Sequence, residues 1–390
     1  MTDSFAIVLT GGGARAAYQV GVLRGLAHKL PETKLDIITG VSAGAINAAF
    51  LASRQAPLTA VVEELASVWS TLRVDDVLRI DTRSLFRNAA AWVTKLGSGG
   101  APGAPRVQGL VDTAPLRSLL ERLYPENEKG EIAGIVESVR RCDPKAAAVT
   151  SLDYNTGRTV TWVSGCAIET WERPLRRSVL TNLGIDHVMA SAALPIVFPA
   201  VKLGKHWHGD GGIRLSAPLS PALHLGATRL LAVSTHYAKT MSEADEPQVL
   251  GYPPPAQILG QLVNAIFLDV IDEDSIRLER SNDFLRSLPP EQRRGYRVVD
   301  FLIIRPSEDL GRIAGQYEKR LPRSFRYLTR GLGTRETADA DFLSLLMFVP
   351  EYLQRLIELG ERDAIARIDD LERVVSAPSS SPAAESRSAS

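Results

Sequence analysis

The sequence predicts an α/β protein with three layers, in which helices cover both faces of a mostly parallel central sheet. Short apolar segments alternate with longer helical ones: a strand at 5–10, a helix at 14–30, a strand at 35–39 and a helix ending near Ser53. Beyond residue 240 the pattern becomes mostly helical, which predicts an extension packed on this α/β core.

The sequence pattern of each segment predicts either a strand or a helix. Residues 5–10 are apolar and end at three glycines, as expected for a short buried strand. The helix at 14–30 has apolar residues near helical spacing, at Ala16, Val20, Leu23 and Ala27. Further strands are predicted at 146–150, 159–163, 230–233 and 300–304. Further helices are predicted at 256–290, 341–358 and 361–374.

The chain divides into three predicted parts: an α/β core at 1–240, a mostly helical extension at 241–375 and a disordered tail at 376–390. The tail contains Ser, Ala, Pro and Glu without an apolar pattern, so it lacks the surface needed to form a core. A Gly/Pro-rich stretch at 97–105 predicts a surface loop.

Composition disfavours several classes of function. Lys+Arg and Asp+Glu number 45 each, so the formal net charge is zero and no broad nucleic-acid surface is expected. No apolar run approaches the ~20 residues of a membrane span, and no leader pattern begins the chain. These features predict a cytoplasmic protein. Cys142 and Cys166 are expected to be reduced, and neither has neighbours at metal-ligand spacing.

The segment Gly40-Val41-Ser42-Ala43-Gly44 lies between a predicted strand and a predicted helix. This G-x-S-x-G arrangement is typical of a nucleophile elbow, in which a tight turn presents the serine hydroxyl at the edge of the sheet. The helix N-terminus that follows contributes partial positive charge and free N–H groups. We therefore expect Ser42 to be a nucleophile, with Gly40 and Gly44 providing room for the turn.

Gly11, Gly12 and Gly13 directly follow the first strand and precede Ala14 and Arg15. Consecutive glycines leave backbone N–H groups uncovered, and such groups can hold the negative oxygen of a tetrahedral intermediate. We expect these five residues to form an oxyanion hole. The side chain of Arg15 would brace the loop, bind an anionic head group or form a surface ion pair.

The same loop fits part of the dinucleotide-binding fingerprint, as Gly11-x-Gly13-x-x-Ala16. That function needs an acidic residue near the end of the second strand. Here the strand ends at Thr39, and the acidic residue, Asp36, lies at its beginning. The pattern therefore disfavours a nucleotide site.

Asp210 is followed by Gly211 and Gly212, late in the α/β pattern. An Asp-Gly pair is common in β-turns, so this segment alone predicts no more than a turn. Beside a serine elbow, however, a carboxylate on a tight turn is a candidate general base.

These three segments together resemble the patatin-like phospholipase family. Residues 40–44 match its G-x-S-x-G motif, 11–15 its glycine-rich oxyanion loop and 210–212 its D-G-[GA] motif. A fourth family block is matched by 190–195 with Phe198-Pro199. Order and spacing agree over about residues 5–235, and the combination is specific although each motif alone is weaker. One departure is Ala16, where the family usually has glycine.

The resemblance implies a modified α/β-hydrolase sheet and a Ser–Asp dyad acting on the ester of a lipid or phospholipid. Ser42 would form an acyl-enzyme and Asp210 would accept its proton, with no metal or other cofactor. Acyl transfer by the same dyad and a catalytically silent lipid-binding module remain the alternatives. Peripheral contact with a membrane is left open.

Mechanisms that need a histidine are disfavoured. Ser42 comes too early for the ordinary α/β-hydrolase, which forms several strands before its nucleophile and places its histidine last. Acyltransferases of the malonyl-transfer type usually have histidine before the serine, where this chain has Val41. His206 and His208, near the proposed base, are expected at the surface.

The predicted helix at 256–290 has an unusually broad apolar face, which is typical either of packing or of contact with a lipid surface. We expect this face to cover the lipid site as a lid. Two rows with a four-residue repeat form it: Ile258, Leu262, Ile266 and Val270, and Leu259, Val263, Phe267 and Ile271.

Overall fold

The structure, a computed structural model, describes residues 3–79, 109–245, 252–267, 270–323, 325–326 and 341–376. The loop predicted at 97–105 and all but the first residue of the tail predicted at 376–390 lie outside these ranges. Within the described ranges, every helix is too short or too polar to cross a bilayer.

The predicted three-layer α/β/α architecture is confirmed. The described strands form one sheet in the order β10-β9-β1-β2-β3-β4-β6-β5, and the hairpin of β7 and β8 is attached to it through β3. The strands are β1 (Phe5–Leu9), β2 (Ile37–Val41), β3 (Ala146–Asp153), β4 (Arg158–Gly165), β5 (Glu172–Arg173), β6 (Arg176–Leu180), β7 (Val201–Leu203), β8 (His206–Asp210), β9 (Arg229–Val233) and β10 (Asp300–Ile304).

The half of the sheet that carries the N-terminal motifs is parallel. Strands β10, β9, β1, β2 and β3 all run in one direction. All five residues of β1 are buried, as expected for a parallel strand covered by helices on both faces. Beyond β3 the sheet is mixed, because β4 and β8 both run antiparallel to β3.

The side chains of β1 alternate between two cores, one on each side of the sheet. Phe5, Ile7 and Leu9 belong to the larger core, which includes the first helices of the chain. Ala6 and Val8 belong to the smaller core on the opposite face. Because both faces of the strand are buried in a core, its sequence is apolar throughout and does not alternate between apolar and polar residues.

Helices cover both faces of the sheet. They are α1 (Ala17–Lys29), α2 (Ala43–Ser53), α3 (Leu58–Thr71), α4 (Val74–Val77), α5 (Ala114–Leu123), α6 (Ala133–Arg140), α7 (Ile185–Ser191), α8 (Ser220–His224), α9 (Met241–Ala244), α10 (Pro255–Phe267), α11 (Val270–Arg286), α12 (Leu310–Tyr317), α13 (Asp341–Leu345), α14 (Pro350–Ala366) and α15 (Ile368–Ser376).

The C-terminal extension contributes to the same sheet and the same core. Strand β10 pairs with β9, and α14 packs closely on α1. A Cβ added to Gly21 would lie 2.0 Å from the Ile357 carbonyl oxygen, so the close approach of these helices requires glycine there. The division of the chain at residue 240 stays a prediction.

Two predicted helical segments are divided differently in the structure. The segment at 256–290 contains α10 and α11, with 268–269 outside the described residues. The segment at 341–358 contains α13 and the first half of α14, which begins at Pro350. Proline is well placed in the first turn of a helix but cannot continue one, so it sets this boundary.

Cys142 and Cys166 form a disulfide, which corrects the expectation that they are reduced. The antiparallel pairing of β3 with β4 sets Ala146 opposite Gly165 and so brings the two cysteines together from either side. Disulfides are exceptional in reducing compartments, so this bond gives no support to the predicted cytoplasmic location.

Candidate active site

Ser42 occupies the sharp turn between β2 and α2. Its backbone has φ 56° and ψ −131°, a conformation that a non-glycine residue rarely adopts. A Cβ on Gly40 would lie 2.3 Å from the Gly44 carbonyl oxygen, and one on Gly44 would lie 2.3 Å from that of Leu9. Both glycines are therefore required by close backbone contacts, as a nucleophile elbow demands.

Strand β3 brings Asp210 to Ser42. Strand β2 runs parallel to β3 and ends at Val41, opposite Thr150. Strand β8 approaches from the other direction and ends at Asp210, opposite Ser151. Because Thr150 and Ser151 are consecutive, the two strands meet end to end along the same side of β3. Ser42, which directly follows β2, and Asp210, which ends β8, are therefore neighbours.

Asp210 is completely buried, and its carboxylate has only partial hydrogen bonding. The Gly212 amide donates to its Oδ1 at 2.8 Å, whereas Oδ2 has no partner of regular hydrogen-bond geometry in the described part of the chain. Burial raises the pKa of Asp210 to about 7, against the lowering effects of the Ser42 hydroxyl and the Gly212 amide. The carboxylate is thus poised to gain or lose a proton near neutral pH.

Backbone amides next to Ser42 have no acceptor. Gly12, Gly13 and Ala43 line the same cavity as Ser42, and their N–H groups donate to no group among the described residues. Of the five residues predicted as an oxyanion hole, only Gly12 and Gly13 line this cavity. Ala43, the first residue of α2, was not singled out from the sequence, although its place after the nucleophile is the expected one for such a donor.

The rest of the glycine loop is held by internal hydrogen bonds. The Thr235 hydroxyl donates to the Gly11 carbonyl at 2.7 Å, and the Arg15 amide donates to the Gly12 carbonyl at 3.0 Å. A Cβ on Gly12 would lie 2.4 Å from Thr235 Oγ1, and one on Gly13 would lie 2.2 Å from the Leu345 carbonyl oxygen. The loop is therefore packed too tightly for side chains at either glycine.

The side chain of Arg15 points away from the cavity into the C-terminal extension. Its Nη2 lies 2.7 Å from Asp341 Oδ1, and its Nε donates to Ser344 Oγ at 2.6 Å. Arg15 is only 3% exposed, so neither a surface ion pair nor a head-group ligand describes it. Burial would raise the pKa of Asp341, but the Arg15 charge and hydrogen bonds from Asn264 and Arg15 hold it below its usual range. The arginine braces the loop.

The fourth sequence block contacts both members of the predicted dyad. The hydroxyl of Ser191, at the end of α7, accepts from the Ser42 amide at 3.0 Å and donates to the Thr150 carbonyl at 2.7 Å. The Ala193 carbonyl accepts from the Asp210 amide at 3.0 Å. One short segment therefore fixes the elbow and the base relative to β3.

Ser42 lies on the wall of a strongly apolar cavity. Apart from Ser42 and the backbone of the glycine loop, the lining is hydrophobic. The core contributes residues of α2, α3 and α5, and the extension contributes the end of α13 and the segment that follows it. The lining residues are Gly12, Gly13, Ser42, Ala43, Ile46, Leu65, Val68, Trp69, Leu72, Val77, Leu116, Leu119, Leu123, Ala192, Leu194, Phe198, Leu345, Leu346 and Phe348.

The histidines next to the base bind β3 rather than Ser42. His208 Nδ1 lies 3.0 Å from Ser151 Oγ, and His206 Nδ1 lies 2.7 Å from Asp153 Oδ2. His208 is only 2% exposed, so its expected surface position is wrong. Burial lowers the pKa of His208, which keeps its ring neutral. Both histidines hold β8 in register.

Helix α10 does not line the cavity through any described side chain. Ile258 and Leu262, from one of its apolar rows, are 45% and 54% exposed. Its Asn264 donates to Asp341 Oδ2 at 2.7 Å and so joins the buried Arg15 pair. The lid role of this helix stays a prediction.

More than half of the chain matches a known protein family. Residues 7–223 match the family model described as patatin-like phospholipase. The calcium-independent phospholipase A2-gamma of Rattus norvegicus is 25% identical over 228 residues, which cover 56% of this chain and 25% of that protein. The chain thus matches about a quarter of the length of this curated relative.

Similar solved structures have low sequence identity. VipD from Legionella pneumophila is 14% identical with a TM-score of 0.39, covering 96% of this chain and 67% of that chain. Human GIVD cytosolic phospholipase A2, in complex with methyl gamma-linolenyl fluorophosphonate, is 14% identical with a TM-score of 0.42, covering 96% and 59% respectively.

Proposed function

Because the chain belongs to the patatin-like phospholipase family, we propose that it hydrolyses carboxylic esters of lipids with a dyad of Ser42 and Asp210. The observation that carries this proposal is the end-to-end meeting of β2 and β8 along β3, beside an apolar cavity. Nucleophile, buried carboxylate and apolar surface then lie together, as acyl transfer from a lipid to a serine requires.

In the first half of the reaction, Ser42 Oγ attacks the ester carbonyl carbon and its proton passes to Asp210 Oδ2. This oxygen has no regular partner among the described residues, so it is available as the acceptor. The negative oxygen that forms is stabilised by the free amides of Gly12, Gly13 and Ala43. Collapse of the intermediate expels the alcohol, which takes the proton from Asp210 and leaves an acyl-enzyme.

In the second half, water replaces the alcohol. Asp210 takes a proton from the attacking water, and the new tetrahedral intermediate uses the same amides. Its collapse releases the fatty acid and returns the proton to Ser42. A pKa of about 7 for Asp210 suits both halves, because a group of that pKa can both accept and return a proton at neutral pH.

The cavity supports an acyl chain as the part of the substrate that enters the protein. Nearly all its lining side chains are aliphatic or aromatic, whereas a charged head group would lose hydration there without compensation. We therefore place the head group outside this cavity. A lipid or phospholipid ester fits this division.

Hydrolysis of a short-chain nitrophenyl ester tests the dyad. Wild type should turn the ester over, and Ser42→Ala and Asp210→Asn should each lose at least ~10³-fold in kcat. Ser67→Ala and Asp283→Asn are matched controls on exposed helical positions and should retain activity. Circular dichroism checks that all variants are folded. If Asp210→Asn remained active while Ser42→Ala was inactive, the base would lie elsewhere.

A product assay separates hydrolysis from the alternative of acyl transfer. With a candidate acceptor alcohol present, hydrolysis gives free fatty acid, whereas transfer gives a new ester. In either reaction, mass spectrometry of a rapidly quenched sample should find the acyl group on the peptide containing Ser42. Its absence from that peptide would contradict the acyl-enzyme.

A further inference from the structure

A second, solvent-open cleft of about 890 Å³ begins at the turn that follows Asp210. Its lining shares no residue with the apolar cavity. Gly212 belongs to this lining, and the Gly212 amide is the group that holds Asp210 Oδ1. The cleft is therefore continuous with the turn that positions the proposed base.

The charge of this cleft is strongly positive. Arg173, Arg176, Arg214 and Arg277 line it, against a single carboxylate from Glu273. They come from three separate parts of the chain, since β5 and β6 provide the first two and α11 provides Arg277. The chain as a whole has zero formal net charge, so this concentration of arginine is local.

Within the described ranges these arginines form no salt bridge with a carboxylate, although the charges of Arg277 and Arg176 act on the half-buried carboxyl of Asp274. Arg173 Nη1 donates to the Glu172 carbonyl at 3.2 Å, and Arg214 Nη1 donates to the Gly157 carbonyl at 2.9 Å. The Nη1 atom of Arg176 is buried and has no acceptor. Buried polar groups are nearly always hydrogen-bonded, so a buried guanidinium nitrogen without an acceptor indicates that one is supplied from outside.

We propose that this cleft, lined by Arg173, Arg176, Arg214 and Arg277, binds a phosphate group. The planar guanidinium presents pairs of N–H donors that match phosphate oxygens, and several arginines together can offset the two charges of a phosphomonoester. Its volume lies within the range of sites that hold small ligands, so a phosphorylated glycerol fits. The apolar cavity offers no such chemistry.

The phosphate can come from two sources. One is the head group of an anionic phospholipid whose acyl chain occupies the apolar cavity, and this source rests on the proposed function. The other is a free phosphate ester, which would bind independently of any lipid. The chemistry of recognition is the same, and a binding experiment distinguishes the sources.

The experiment measures binding to full-length Ser42→Ala, so that turnover plays no part. Isothermal titration with glycerol 3-phosphate reports the free ester, and co-sedimentation with phosphatidylcholine vesicles, with and without phosphatidic acid, reports the head group. Changing Arg176 and Arg277 together to glutamine should weaken binding at least ~10-fold, because two charge-assisted contacts with the phosphate are removed. The matched control is Arg280→Gln, an exposed arginine on the same helix as Arg277.

Binding of glycerol 3-phosphate that the double change weakens supports a free phosphate source. Sedimentation that requires phosphatidic acid, without binding of the free ester, supports the head group. The proposal is overturned if Arg280→Gln weakens binding as much as the double change does. It is also overturned if the protein binds neither probe. Arg277→Gln alone, on an exposed helical position, provides the test if the double variant fails to fold. None of these outcomes depends on esterase activity, so the dyad is judged separately.

Discussion

Asp210, the proposed base, shows how the position of a carboxylate changes its pKa. A free aspartate has a pKa near ~3.9 and is a weak base at neutral pH. Burial at the end of β8 raises the pKa of Asp210 to about 7, although Gly212 and Ser42 oppose the shift. The sequence identified the residue and its glycine turn, but the pKa depends on the protein packed around it.

The pH dependence of hydrolysis follows from this raised pKa. Asp210 must be ionised to accept the Ser42 proton, so kcat/KM should rise with pH, with an apparent pKa of about 7, and level off above it. A pH–rate profile on a nitrophenyl ester measures this limb. Because a histidine could titrate in the same range, His206→Gln serves as the control and should retain the limb. An acid limb near ~4, the range of ordinary carboxyls, would contradict the raised pKa.

Several site contacts at the residue scale could not be read from sequence. The elbow glycines and the Asp-Gly-Gly turn lie next to the residues they serve, so local patterns reveal them. Ser191 supports Ser42 from 149 positions away, and Asp341 pairs with Arg15 from 326 positions away. Such contacts are set by tertiary packing, which no local spacing encodes.

At the scale of elements, the glycine loop depends on α13. Arg15 is anchored by Asp341 and Ser344, and the Leu345 carbonyl lies directly against Gly13. The extension therefore packs against the glycine loop, whose amides lie next to Ser42. Asp341 itself does not line the cavity, so a change at Asp341 should alter catalysis only through the loop.

Removing one partner of the buried Arg15–Asp341 pair tests this link. Asp341→Ala leaves an unpaired buried guanidinium, so the free energy of unfolding should fall by about 3–5 kcal/mol. The kcat for ester hydrolysis should also fall, since Gly12 and Gly13 lose their support. Chemical denaturation and kinetics on the folded fraction measure the two effects. Glu137→Ala, which removes the partner of the exposed Arg140 and Arg141, is the control and should change the free energy of unfolding much less. An unchanged kcat in folded Asp341→Ala would show that the loop does not need this brace.

Some strands could be predicted from the sequence and others could not. Strands β1 and β2 are short apolar runs that end in glycine motifs, and they were predicted within a residue or two. Strand β8 reads His-Trp-His-Gly-Asp, with no apolar alternation, and its role appears only through its pairing with β3. Its buried residues are His208, Gly209 and Asp210, which hydrophobic periodicity cannot detect.

Over the whole molecule, the apolar cavity is built jointly by the core and the extension. Leu65 and Leu119 come from the helices α3 and α5, while Phe348 comes from the segment between α13 and α14. The ring of Phe348 stacks on Trp69 at a centroid distance of 6.5 Å. The family model ends at residue 223, so the matched part of the chain does not by itself complete the site.

If this cavity receives the acyl chain, its size should set the preferred chain length. Leu119→Ala removes lining volume, so the ratio of kcat/KM for a long-chain to a short-chain nitrophenyl ester should rise. Leu119→Trp should lower that ratio by filling the space. Because both esters are measured on the same enzyme, the ratio does not depend on the fraction of folded protein.

A matched control separates cavity size from stability. Leu26 is buried in α1 and does not line the cavity, so Leu26→Ala should destabilise the protein by a similar ~2–5 kcal/mol without changing the ratio. If the ratio moved equally in both alanine variants, general loosening of the core would explain it. If the ratio changed in neither alanine variant, the acyl chain would bind elsewhere. The exposed Ile258 and Leu262 of α10 would then be the next surface to test.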